Sequence, residues 1–306
     1  MRKPTFRFRV LAIFIAVLAA IGVFGGEHAH AAPLAPQAEK AADRMTVSVT
    51  GQGPDVVLIP GLASSGAVWD ATVQQLSATH RVHVVQVAGF AGAPVAGNAE
   101  GPVVDPLVEA VDGYIKSAHL KSPAVIGHSM GGFTGLLLAR RHPEDVSRLM
   151  IVDSLPFFSV LFAPTATAES MKPQAAALRD GMIALSPDAF ASQQAMSAPR
   201  FVKSPEGQKL MLQWSLASSQ SVVARAMYDL LTTDARPELP AIKTPTTLLY
   251  PYDQAMGAPT AMIDATYANA YAALPGVSLK RIDDSRHFIM LDRPKAFAEA
   301  VDAFLK

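Results

Sequence analysis

Short apolar runs recur along this sequence, and they constrain its fold more than any other feature. Most are rich in Val, Ile or Thr, and they cover residues 56–59, 82–87, 124–126, 149–152 and 246–250. A continuous apolar run is typical of a strand buried on both faces, as in a parallel sheet covered by helices. Between the runs, apolar residues recur at helical spacing, for example over 107–115 and 297–305. This alternation predicts an α/β fold with a mostly parallel central sheet flanked by helices.

Two parts of the chain depart from this alternation. Residues 45–50 alternate apolar and polar side chains, which predicts a half-exposed strand. Residues 155–240 show no strand pattern, only helix-like segments separated by Pro164, Pro173, Pro187, Pro199 and Pro205. Because a structureless loop of this length is rare in a compact domain, we expect 155–240 to be a helical insertion. Residues 32–154 and 241–306 would then form the core of the fold.

The N-terminal segment has the pattern of a secretory signal peptide. Four of the first nine residues are basic, residues 10–26 carry no charge, and Ala29-His30-Ala31 supplies a cleavage site of the small-x-small type. A retained transmembrane anchor is the alternative, but the apolar run is slightly short for a span of about 20 residues. We expect residues 1–31 to be removed, so that an exported protein, periplasmic or secreted, begins near Ala32 without a stable membrane anchor.

The composition excludes several classes of function. Half of the 306 residues are apolar, and 26 basic side chains balance 26 acidic ones. A disordered chain would instead have few apolar residues and a high net charge. Without a basic excess, the sequence lacks the usual signature of a protein that binds nucleic acid. The absence of cysteine excludes disulfides, thiolate nucleophiles and cysteine-ligated metal centres.

The motif with the sharpest chemical meaning is Gly127-His128-Ser129-Met130-Gly131, which has the pattern G-x-S-x-G. An apolar strand runs into it, and a nearly all-apolar helix over 133–141 follows. A serine at such a bend is presented for attack, and the flanking glycines remove side chains that would collide there. The N-terminus of the helix also directs N–H groups toward the reacting centre. We therefore predict Ser129 as a nucleophile, the alternative being an ordinary serine in a glycine-rich turn.

A serine hydroxyl needs a nearby base, and His287 is the histidine best placed to provide one. It follows the predicted last strand, 277–282, in a loop at the carboxyl edge of the sheet. His128 is adjacent to Ser129, and neighbours on an extended turn point apart. The other candidates come before the serine or stand before a proline at a helix end: His80, His83, His119 and His142.

The histidine in turn needs a carboxylate that fixes its tautomer and stabilises the imidazolium, and two aspartates qualify. Asp253 follows the run 246–250, and Asp153 follows the run 149–152, each at the carboxyl end of a predicted strand. We prefer Asp253 and keep Asp153 as the alternative.

The chain order Ser129, Asp253, His287 and the bend around the serine resemble the α/β-hydrolase superfamily. The resemblance covers nearly all of the predicted mature chain and implies an α/β-hydrolase fold in which 155–240 is a helical lid. It also implies an oxyanion hole made by the backbone N–H groups of Leu62 and Met130.

The resemblance further implies the reaction. A serine nucleophile does not suit the dehalogenases and epoxide hydrolases of this fold, which use an aspartate. We expect a carboxylic ester hydrolase, esterase-like or lipase-like, that forms an acyl-enzyme on a small-molecule ester or another acyl substrate without metal or cofactor. Two alternatives stay open: a non-hydrolytic enzyme on the same fold, such as a lyase or a cofactor-free oxygenase, and a catalytically silent binding protein.

The sequence predicts less about the surface that would bind the acyl group. The insertion holds an aromatic segment, 157–162, and five methionines that could line an adaptable apolar pocket: Met171, Met182, Met196, Met211 and Met227. For most of these side chains, packing between helices is the preferred interpretation.

Overall fold

A computed structural model describes residues 43–306, in which seven strands form one sheet between layers of helices. The strands are β1 (Met45–Thr50), β2 (Asp55–Ile59), β3 (Arg81–Val87), β4 (Ala124–His128), β5 (Arg148–Val152), β6 (Thr246–Tyr252) and β7 (Ser278–Asp283). Their order is β1-β3-β2-β4-β5-β6-β7, and every neighbouring pair is parallel except β1 with β3. The predicted α/β fold with a mostly parallel sheet is confirmed.

Ten α-helices lie among the described residues: α1 (Asp70–Leu76), α2 (Val104–Ser117), α3 (Met130–Arg141), α4 (Ala168–Ala184), α5 (Pro187–Phe201), α6 (Pro205–Ala217), α7 (Gln220–Thr232), α8 (Thr260–Ala270), α9 (Ile289–Asp292) and α10 (Pro294–Leu305). Short 3₁₀ turns cover Gly66–Trp69, Ala96–Ala99, Pro143–Asp145, Phe158–Leu161, Arg236–Ala241 and Gln254–Met256.

The apolar runs form strands because both faces of the sheet are covered. Along β2, Val57 and Ile59 belong to the core beneath α2 and α3, whereas Val56 and Leu58 belong to the core beneath α1 and α10. All four side chains are at most 1% exposed. Successive strand residues point to opposite faces, so only a run without polar interruptions can fill both cores. At the edge of the sheet, β1 has the predicted half-exposed character.

Residues 155–240, all of which the structure describes, contain no strand and hold α4 to α7. Pro187 and Pro205 begin α5 and α6, where a proline needs no hydrogen-bond partner. The expectation that Pro173 and Pro199 separate helices is wrong, because Pro173 lies in the second turn of α4 and Pro199 in the last turn of α5. Near a helix end one missing bond is tolerated. That this segment acts as a lid stays a prediction.

Among residues 43–306, none of the helices combines the length and the apolar character needed to traverse a bilayer. The predicted signal peptide, residues 1–31, lies outside the described residues, so its removal stays a prediction.

Candidate active site

The predicted site residues meet at the carboxyl edge of the sheet. Ser129 follows β4, Asp153 follows β5 and Asp253 follows β6, while His287 lies in the loop after β7. These four strands are consecutive in the sheet, so their carboxyl ends lie side by side. Ser129 and His287 line the same cavity. The structure therefore brings the predicted nucleophile and the predicted base to one site.

Ser129 stands at a sharp bend between β4 and α3. Its backbone has φ 53° and ψ −118°, a conformation that L-residues rarely adopt and that costs about 1–3 kcal/mol. The Ser129 N–H donates to the Val152 carbonyl at 2.8 Å, which ties the bend to β5. A Cβ atom added to Gly131 would lie 2.7 Å from the Pro60 carbonyl oxygen, so the bend packs against the loop after β2 only with glycine there.

The loop after β2 lies directly against this bend. A Cβ atom added to Gly61 would be 3.1 Å from the Ser129 Cβ, and Leu62, the next residue, lines the cavity. Met130 is the first residue of α3, where backbone N–H groups have no partner inside the helix. Met130 follows Ser129 directly and Leu62 lines the same cavity, while their role as an oxyanion hole stays a prediction.

The carboxylate against His287 belongs to Asp153. The His287 Nδ1 lies 2.6 Å from the Asp153 Oδ2, and the two side chains are only 11% and 8% exposed. A proton held on Nδ1 by this bond gives the tautomer whose Nε2 can accept a proton. The preference for Asp253 as the partner of His287 is therefore wrong, and the alternative, Asp153, occupies that position.

Asp253 is engaged elsewhere. Its carboxylate accepts from the Arg286 Nε at 2.9 Å and from the Ala255 N–H at 3.1 Å, and the Lys203 Nζ lies 3.4 Å away. Burial raises the pKa of Asp253, but these hydrogen bonds and cations outweigh burial and hold the pKa below its ordinary value. The two charged neighbours of Asp253, Arg286 and Lys203, are both cations. Asp253 therefore binds the loop just before His287 and does not contact the imidazole.

A tyrosine that the sequence did not single out completes the surroundings of Asp153. The Tyr267 hydroxyl, on α8, donates to the Asp153 Oδ1, which leaves Oδ2 to His287. Burial and the nearby Asp153 charge raise the pKa of Tyr267 well above its ordinary value, so the hydroxyl keeps its proton. No local pattern around Tyr267 predicts this contact, since it depends on how α8 packs against the sheet.

His128 packs beside His287 and is bonded to its backbone. It is fully buried, and its Nε2 lies 3.0 Å from the His287 carbonyl oxygen, to which it donates. Burial and the neighbouring His287 imidazole lower the pKa of His128 well below its ordinary value. A neutral His128 with a committed Nε2 holds the His287 loop in place.

The cavity beside Ser129 has mostly apolar walls supplied by 155–240. Its volume is about 130 Å³, and it is partly open to solvent. Five of the residues that the sequence suggests for an apolar pocket line this cavity: Met182, Met211, Met227, Phe158 and Phe162. The other two methionines do not: Met171 packs against Phe157, and Met196 is 70% exposed. Met182 and Met211 are also buried in the hydrophobic core, and Met227 packs against it, so these three methionines pack between helices and line the cavity at the same time.

Metal-ligating side chains gather away from this cavity. His142 lies 3.1 Å from Glu109 and 3.5 Å from Asp112. Lys116 already neutralises this group, since its Nζ is 2.8 Å from the Asp112 Oδ2. Cations of the protein thus supply the charge that a metal ion would supply.

Comparison with known proteins identifies relatives of this chain. A family model described as the alpha/beta hydrolase family matches residues 56–300. Curated relatives are named pimeloyl-[acyl-carrier protein] methyl ester esterase. The protein from Vibrio cholerae serotype O1 is 31% identical over 207 residues, 66% of this chain and 76% of the relative. The protein from Aeromonas hydrophila is 39% identical over 116 residues, but the match covers only 37% of this chain and 44% of that relative.

Solved structures resemble the fold over most of the chain. A hydrolase from Pseudomonas aeruginosa has a TM-score of 0.70 at 19% identity, covering 88% of this chain and 97% of its own. The enol-lactonase from Burkholderia xenovorans has a TM-score of 0.69 at 21% identity, covering 85% and 96%. At these identities the likeness extends to the fold alone.

Proposed function

Because this chain belongs to the alpha/beta hydrolase family, as its sequence predicts, we propose that it hydrolyses carboxylic esters with Ser129 as nucleophile, His287 as base and Asp153 as acid. The observation that carries the proposal is the 2.6 Å bond between His287 and Asp153 beside a cavity that also contains the strained Ser129. The relatives named as methyl ester esterases support the reaction class.

The proposed mechanism uses these positions in two steps. The Ser129 Oγ attacks the ester carbonyl while the His287 Nε2 takes the hydroxyl proton. Negative charge then develops on the carbonyl oxygen, where the N–H groups of Leu62 and Met130 would donate to it. The His287 imidazolium, stabilised by Asp153, gives its proton to the departing alcohol and leaves an acyl-enzyme. Water, deprotonated by His287, then attacks the acyl group and releases the acid.

The apolar cavity supports an aliphatic acyl group. Walls of Phe, Leu and Met side chains remove methylene groups from water, which favours binding by about 0.8 kcal/mol per methylene. A small alcohol, as in a methyl ester, leaves the cavity to the acyl chain. We propose small to medium acyl esters as substrates. We also propose that the protein is exported, which the pattern of residues 1–31 supports.

A panel of straight-chain methyl esters tests this function. We expect kcat/KM to rise about fourfold for each added methylene and to level off once the cavity is full. Acid and methanol should form in equal amounts, measured by titration and by an alcohol-oxidase assay. A lyase, an oxygenase or a silent binding protein would release no such pair of products, so failure to hydrolyse any member contradicts the proposal.

A further inference from the structure

The walls of the cavity contain one permanent charge. Among the residues that the structure describes, Arg179 on α4 is the only Lys, Arg, Asp or Glu that lines it. The neighbouring lining residues of the same helix, Leu178 and Met182, are apolar. The other basic residue paired on α4, Lys172, binds Glu169 on the exposed surface and does not line the cavity. Of the two basic residues on α4, only Arg179 thus places its charge at the cavity.

The Arg179 guanidinium is held in place, but not all of its N–H groups have hydrogen-bond acceptors. Its Nε donates to the Asp180 carboxylate at 2.7 Å, and its central carbon lies 5.0 Å above the Tyr228 ring. Those contacts orient the plane of the guanidinium. A guanidinium has five N–H donors, and among the described residues the two terminal amino groups of Arg179 make no hydrogen bond. Asp180 is 64% exposed, so solvent screens the pair and a ligand anion can compete with it.

Two serine hydroxyls of the cavity, in contrast, have acceptors within the protein. The Ser215 hydroxyl donates to the Gln194 side-chain oxygen at 2.8 Å, and the Ser197 hydroxyl donates to the Gln194 carbonyl at 2.9 Å. Neither hydroxyl has a proton left to donate to a ligand. Arg179 is therefore the lining group best able to recognise a polar feature of the substrate beyond the ester.

We propose that Arg179 binds a carboxylate at the far end of the acyl chain, so that the preferred substrates are half-esters of dicarboxylic acids. The inference rests on the proposed function, because it requires the ester carbonyl to be at Ser129. Apolar walls hold the methylenes between the two ends. A carboxylate that enters such a cavity loses water of hydration, which costs free energy unless a partner replaces the water. A guanidinium can replace it through two parallel hydrogen bonds.

The test compares two series of methyl esters with equal chain lengths: methyl hydrogen dicarboxylates and neutral methyl alkanoates. The measured quantity is the ratio of kcat/KM for the acidic ester to that for the neutral ester. We expect a maximum of about 10- to 100-fold in wild type, at the one chain length that spans Ser129 and Arg179. The maximum should shrink as ionic strength rises, because salt screens the ion pair.

Three variants separate a specific role from a structural one. Arg179→Met keeps an apolar stem and should bring the ratio close to one, whereas Asp180→Asn removes the competing carboxylate and should raise it. Lys172→Met, on the same helix but outside the cavity, should leave the ratio unchanged. A wild-type ratio near one at every length, or an Arg179→Met variant that keeps the preference, overturns the assignment. Hydrolysis of neither series would instead overturn the proposed function itself.

Discussion

Replacing Ser129 with alanine is expected to lower kcat/KM for methyl esters by about 10⁴- to 10⁶-fold, the loss seen when a triad serine is removed from other hydrolases. The reason is chemical, because among the described residues that line the cavity none but Ser129 offers a hydroxyl at the bend between β4 and α3. The folded state should change little, since the Ser129 side chain caps no helix and alanine occupies less space. Steady-state hydrolysis and a thermal unfolding curve measure the two effects.

Ser215→Ala is the matched control for this variant. Ser215 lines the same cavity, but its hydroxyl bonds Gln194 and not the site around His287. We expect this variant to keep most of the activity. If the Ser129 and Ser215 variants lost similar amounts, or if the Ser129 variant kept its activity after rigorous purification, Ser129 would not be the nucleophile.

Asparagine at position 153 should lower kcat by about 10³- to 10⁴-fold. Its side chain is close in size to that of aspartate, but it carries no charge to stabilise the imidazolium and its amide can impose the wrong tautomer on His287. KM should change far less, because Asp153 does not line the cavity. Rate measurements on the two best methyl esters, with circular dichroism to verify folding, check this result.

Asp253→Asn supplies the comparison that decides between the two aspartates. It leaves the 2.6 Å bond between Asp153 and His287 in place, so kcat should stay far closer to wild type. It does weaken the pairing with Arg286, and we expect the free energy of unfolding to fall by about 1–3 kcal/mol. The reverse pattern, with the Asp253 variant inactive and the Asp153 variant active, would contradict the position of the acid.

The sheet could be predicted from the sequence because its constraint is local. A strand buried on both faces needs uninterrupted apolar residues, and β2 and β5 show this directly. The bend at Ser129 could be predicted for a similar reason, since it requires glycines within a few residues of the serine. His287 was identified by its place after β7, which follows from the order of elements along the chain.

The carboxylate that contacts His287 could not be chosen from the sequence, because the choice depends on distant residues. Asp153 and Asp253 both follow strands, and β5 and β6 are neighbours in the sheet. What separates them is the pairing of Asp253 with Arg286, and the donation from Tyr267 on α8 to Asp153. The residues that line the cavity could not be chosen for the same reason, since side chains far apart in 155–240 converge on it only after the helices pack.

Labelling with a fluorophosphonate probe, mapped by mass spectrometry of peptides, tests the central claim most directly. We predict one phosphonylated residue, Ser129, with no labelling in Ser129→Ala, greatly slowed labelling in His287→Ala and Asp153→Asn, and near-normal labelling in Asp253→Asn. Such a probe reacts only with a hydroxyl that a base has activated. Phosphonylation at another residue, or an undiminished rate without His287, would contradict the account.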